Sequence, residues 1–181
     1  MLTDDLATEW LRLQFLVRNR LRYPTLERNG YSERITYSVF PAFEDCVSVF
    51  VMTSSDSAST IAVRSRWNRD CDHAVFQSPT ERIKHPETFE PTIASDELSV
   101  SASKLDSLIE STQRLSLPID PAYDGLGCDG VTYELRFGHG FFFSRLQWWV
   151  KLPKRWKTLE PLITKLDALI AAPSASEGKK G

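Results

Sequence analysis

Apolar and polar residues alternate through much of the first half of this chain. β-Branched and aromatic runs at 33–40 (ERITYSVF), 46–53 (CVSVFVMT) and 60–67 (TIAVRSRW) predict sequential antiparallel strands, with 54–60 (SSDSAST) as a turn. A meander is the economical way to connect them. The segment ahead of them carries two periods at once. Leu6, Trp10, Leu13, Val17 and Leu21 lie on one helical stripe, while Leu11, Leu13, Phe15 and Val17 alternate with Arg12, Gln14 and Arg18. Of the two, the alternation is preferred, which predicts a strand over about 10–18. Residues 77–92, with Pro79, Pro86 and Pro91, read as an irregular connection holding at most a short edge strand.

Two later segments switch to helical spacing. Ser103 is placed to cap a helix near 104–116 whose Leu105, Leu108, Ile109, Thr112 and Leu115 share a face and which Pro118 closes. Near 159–171, Thr158 serves as N-cap and Pro161 falls in the first turn, where its missing N–H does no harm. Leu159, Leu162, Ile163, Leu166, Leu169 and Ile170 form the apolar stripe of that second helix.

Between the helices, Val131, Tyr133, Leu135 and Phe137 alternate with Thr132, Glu134 and Arg136, and five aromatic residues fall between Phe141 and Trp149. A two-residue turn at His139-Gly140 sets Phe137 against Phe142, Leu135 against Ser144, Tyr133 against Leu146 and Val131 against Trp148. That register sends Phe142, Leu146, Trp148 and Val150 inward. It leaves Phe141, Phe143, Arg145, Gln147 and Trp149 on the opposite face. Either another segment covers that face, or it is an aromatic and basic recognition patch. The whole pattern predicts an α+β fold: a largely antiparallel sheet of about six to seven strands, with two amphipathic helices packed on one face.

With 181 residues, 41% of them hydrophobic, the chain fits a single domain over 1–172. The tail 173–181 (PSASEGKKG) is too small and polar to bury much surface and is expected to be disordered. A net charge of −2 argues against a dedicated nucleic-acid binder, although Lys151, Lys154, Arg155 and Lys157 beside Trp148, Trp149 and Trp156 imitate a stacking surface. The N-terminus lacks the apolar core of a secretory signal, and no stretch has the roughly 18 apolar residues of a membrane span. Cys46, Cys71 and Cys128 are odd in number and far apart, which fits reduced thiols and a cytoplasmic location better than a disulfide framework.

Candidate chemistry is sparse. Cys71-Asp72-His73 places a thiol and an imidazole on one face if the segment is extended, so a thiol enzyme is the alternative to a binding protein. Zinc would need Cys46, Cys71, His73 and Cys128 to converge without any knuckle spacing, so no metal is assigned. His85 reads as a solvated loop residue and His139 as a turn residue. Neither Gly138-His139-Gly140 nor the glycines of 124–130 (DGLGCDG) sit in the strand–loop–helix setting of a phosphate cradle. No cofactor is expected.

The run "CDGVTYEL" (128–135), a strand ending in "WW" (148–149) and "LPKRWKTLEPLITKL" (152–166) resembles small, mostly uncharacterised bacterial α+β proteins. In those proteins an LDG-x-x-Y-x-L strand, a Trp-ended strand and a P-x-x-W-x-x-L helix close the chain; here Cys128 stands where leucine is more usual. The layout is more distantly similar to emfourin-like protease inhibitors and to immunity-type proteins. The resemblance implies non-catalytic binding of a protein partner and carries over no catalytic residue. The residues expected to make the contact are Phe141, Phe143, Arg145, Gln147 and Trp149.

Overall fold

The three strands predicted at 33–40, 46–53 and 60–67 form, because each turns apolar side chains toward a helix-covered face. The computed structural model describes residues 3–22, 30–42, 44–78, 90–118, 130–139 and 142–175. The three runs are β1 (Tyr31–Pro41), β2 (Val47–Ser54) and β3 (Thr60–Trp67), and they are joined by β4 (Ile93–Glu97), β5 (Val131–His139) and β6 (Phe142–Trp149). They make one six-stranded sheet in the order β4-β3-β2-β1-β5-β6, with every neighbouring pair antiparallel. The architecture is α+β, as expected.

Ile35, Tyr37, Val49, Val51, Ala62, Leu135 and Trp148 form the covered face of the sheet. Over them lie α3 (Ala102–Gln113) and α4 (Glu160–Ile170), the latter preceded by a 3₁₀ turn over Lys154–Leu159. Leu105, Leu108 and Ile109 of α3 and Leu162, Leu166 and Leu169 of α4 are buried against the sheet. The N-cap position of α3 is Ser101 rather than Ser103, and that of α4 is Leu159 rather than Thr158, with Pro161 still in the first turn. The Tyr37 hydroxyl donates to Asp167 Oδ1 at 2.9 Å, tying the sheet centre to α4. Arg64 is buried beneath the C-terminus of α4. It donates to the carbonyls of Ile170 and Ala172 and pairs with both oxygens of Asp96. A cation there satisfies the orphan carbonyls that end any helix.

The first segment is a helix, not the strand expected over 10–18: α1 spans Thr3–Arg22. Its Leu13, Val17 and Leu21 are buried with Phe40, Cys46 and Trp67 on the opposite face of the sheet. The alternation that favoured a strand rests on Leu11 and Phe15, which are 64% and 62% exposed. Residues 69–77 also fold as a helix, α2 (Arg69–Gln77), whose N-cap Asn68 accepts from the Cys71 N–H at 3.1 Å. Strand β4 lies just beyond the stretch read as irregular, of which 79–89 fall outside the described residues.

The hairpin forms, but its register differs from the expected one. His139 faces Phe142, so Phe137 meets Ser144, Leu135 meets Leu146 and Tyr133 meets Trp148. The turn falls one residue later in the chain, which moves each partner by two positions and leaves every side chain on its expected face. Leu146 and Trp148 pack into the core, while Phe142 and Val150, expected inward, are 86% and 47% exposed. The tail is held at its start: Ser174 bridges Leu98, and Ala175 N–H donates to the Glu97 carbonyl at 2.8 Å. Among the described residues no helix is long and apolar enough to cross a membrane.

Candidate functional site

β6 ends the sheet, and among the described residues no strand pairs with its outer side. Four of the five expected contact residues lie on its outward face, and Phe141 falls outside the described residues. Phe143 is half-buried under the Arg136 guanidinium, whose carbon sits 4.8 Å from the ring centre. Trp149 is half-buried against the backbone of Gly130. That residue has a positive φ of 153°, and a Cβ there would come within 2.7 Å of the indole. Gln147 and Arg145 are exposed. On this side of the sheet α1 covers Phe40, Cys46 and Trp67, and its end at Arg22 reaches Glu134 of β5.

Arg145 is part of a charge network that the sequence did not reveal. Its Nη2 donates to Glu134 Oε2 at 2.8 Å, and Arg22 Nε at the end of α1 donates to the same oxygen at the same distance. Glu134 is only 2% exposed, so two guanidinium groups compensate one buried carboxylate. Arg136 adds an ion pair to Glu33 at 3.6 Å and a hydrogen bond to the Arg22 carbonyl, while Glu33 accepts from Thr36 Oγ1 at 2.6 Å. These residues alternate along β1, β5 and β6. In sequence they look like ordinary outward-facing polar positions, and only the sheet order brings them together.

The Cys71-Asp72-His73 trio is not assembled as a thiol–imidazole pair. On a helix, residues two apart point in nearly opposite directions. Cys71 is exposed, whereas His73 contacts the Trp10 ring edge and lies 3.3 Å from Gln77 Nε2. Asp72 between them is buried and accepts from Trp67 Nε1 at 2.6 Å and from the Thr92 N–H at 3.0 and 3.2 Å. Its use is structural: it fixes the indole beneath α1. Cys46 is buried in the α1-side core, and among the described residues no group of three histidine, cysteine, aspartate or glutamate side chains is arranged to hold a metal. Cys128 and His85 lie outside the described residues.

The two ends of the sheet differ in how they meet solvent. β4 is five residues long, carries Asp96 and Glu97, and is followed by the Leu98–Ser174 bridge. β6 is eight residues long, has Arg145 as its sole charged side chain, and presents Phe142 to solvent. Short, charged or covered edges resist strand addition, and long uncharged ones favour it. Comparison with protein-family models, with curated proteins and with solved structures finds none that this chain matches.

Proposed function

We propose that this chain is a protein-recognition domain that binds an extended segment of a partner along β6. The observation that carries this reading is an eight-residue edge strand with an 86% exposed phenylalanine and a single charge. Backbone groups along such an edge supply affinity, and alternate side chains supply selectivity. Gln147, Arg145 and the neighbouring halves of Phe143 and Trp149 make the outward rim of that surface. Lys151, Lys154, Arg155 and Lys157 are exposed just beyond the strand, so the partner segment is expected to be acidic. An inhibitor or immunity-type role agrees with the layout similarity noted from the sequence.

The test is affinity capture from the native host with the wild-type chain and two single variants. Phe142→Asp alters the β6 edge. Leu11→Asp introduces an aspartate at another solvent-facing apolar position, on α1. The expected result is one stoichiometric partner retained by wild type and Leu11→Asp and lost with Phe142→Asp. Amide exchange along 142–149 should slow in the complex. A partner that survives Phe142→Asp, or protection confined to another element, refutes the reading.

A further inference from the structure

At the hairpin tip, on the α3 side of the sheet, lies a cleft of about 540 Å³. Its walls come from Ile109, Thr112 and Gln113 of α3, from both arms of the hairpin and from Arg34 of β1. That volume falls within the range of small-molecule sites.

Arg34 reaches the cleft because of a backbone irregularity. Strict alternation along β1 would turn it toward the α1 side, with Thr36 and Ser38. The pairing of β1 with β2 slips between Glu33, opposite Met52, and Ile35, opposite Val51. The extra residue in that slip is Arg34, and a bulge of this kind re-aims its side chain. Arg34 Nε is buried and has no hydrogen-bond partner among the described residues. Because Nε itself is closed to solvent, Arg34 meets an anion in the cleft through its terminal guanidinium nitrogens and not through Nε.

The compensating charge is not supplied by the described walls. None of the described lining residues is acidic, and the adjacent Glu33 is engaged with Arg136 and Thr36 on the opposite face. The remaining lining includes Phe137, Phe142 and Ile109 with His139, Ser144 and Gln113 as polar groups, while the Phe143 ring turns to the opposite face beneath Arg136. One planar cation facing aromatic walls matches a ligand with one planar anionic group on a flat apolar body.

We propose that this cleft binds a small aromatic carboxylate, with the carboxylate on Arg34 and the ring against Phe137 and Phe142. The proposal does not depend on the protein-recognition reading.

The probe is 3-phenylpropionate, with its neutral amide as control, added to the full chain and followed by amide chemical-shift mapping. Saturable shifts at Thr112, Gly138 and Ser144 are expected for the acid. The amide, and the acid with Arg34→Gln, should bind at least about tenfold more weakly. Phe142→Ala, at an exposed position that the fold does not need, should also weaken the acid. Absence of saturable shifts up to about 10 mM acid overturns the proposal, as does equal binding of acid and amide. Should Arg34→Gln not fold, the acid–amide comparison in wild type and the Phe142→Ala titration decide the matter by the same criteria.

Discussion

Asp72 shows how a residue that looks chemical can be structural. Its carboxyl sits at the first turn of α2, where acidic groups complement the helix dipole, and it accepts from the Trp67 indole and the Thr92 backbone. Asp72→Ala would leave those two donors without their acceptor beneath α1, at a cost of about 2–3 kcal/mol. Urea unfolding should show a lowered midpoint with an unchanged slope. Cys71→Ser, on the exposed side of the same helix, should change stability by less than about 0.5 kcal/mol. If the two substitutions cost the same, the indole–carboxyl bond is not what holds Trp67.

At the scale of elements, the hairpin is the part whose geometry leaves least room for change. Gly138 faces Phe143, and a Cβ there would run into the Phe142 carbonyl and lie 2.8 Å from the Phe143 Cα. Both obstacles are backbone, so Gly138→Ala should destabilise the protein by about 1–3 kcal/mol. Ser144→Ala on the facing strand should be close to neutral in the same thermal melts. A neutral Gly138→Ala would mean that the two arms separate freely at their tip. The hairpin is also where the sequence was most informative, because a period of two fixes the face of each side chain even when the turn is misplaced by a residue. α1 was misread for the converse reason. Leu11 and Phe15 are exposed apolar residues, which single-sequence patterning counts as buried, and they completed an alternation that the true stripe of Leu13, Val17 and Leu21 does not need. α2 carried a readable start signal, Asn68 followed by Asp70 and Asp72, that the attraction of a Cys-His pair obscured. The Arg34 bulge and the Glu134 network were not legible, since each depends on which strands become neighbours.

For the molecule as a whole, one sheet serves two cores, and each contains a group that must stay protonated. Burial pushes the Cys46 thiol, in the α1-side core, from 9.0 up to about 11, with nearby Arg18 opposing the shift in part. Burial, and then the Asp167 carboxylate, raise Tyr37 in the α3–α4 core well above its ordinary 10.0. Both shifts are upward, so the folded state holds these protons more tightly than the unfolded chain does. The associated stability is complete below 9.0 for Cys46 and below 10.0 for Tyr37, and it is lost as pH rises through the folded values. For Cys46 the loss is on the order of 2 kcal/mol and is spread over about pH 9 to 11. Because β1 and β3 carry residues of both cores, loosening either face strips support from the other, and a single cooperative transition is expected. Denaturant melts at a series of pH values should therefore show stability that begins to fall near pH 9 and steepens above pH 10. Cys46→Ala should remove the first part of that fall and keep the second, whereas Tyr37→Phe should keep the first and flatten the second. If wild type and Cys46→Ala lose stability in parallel between pH 9 and 11, the buried thiol does not set the alkaline limit and the coupling of the two faces must be sought elsewhere.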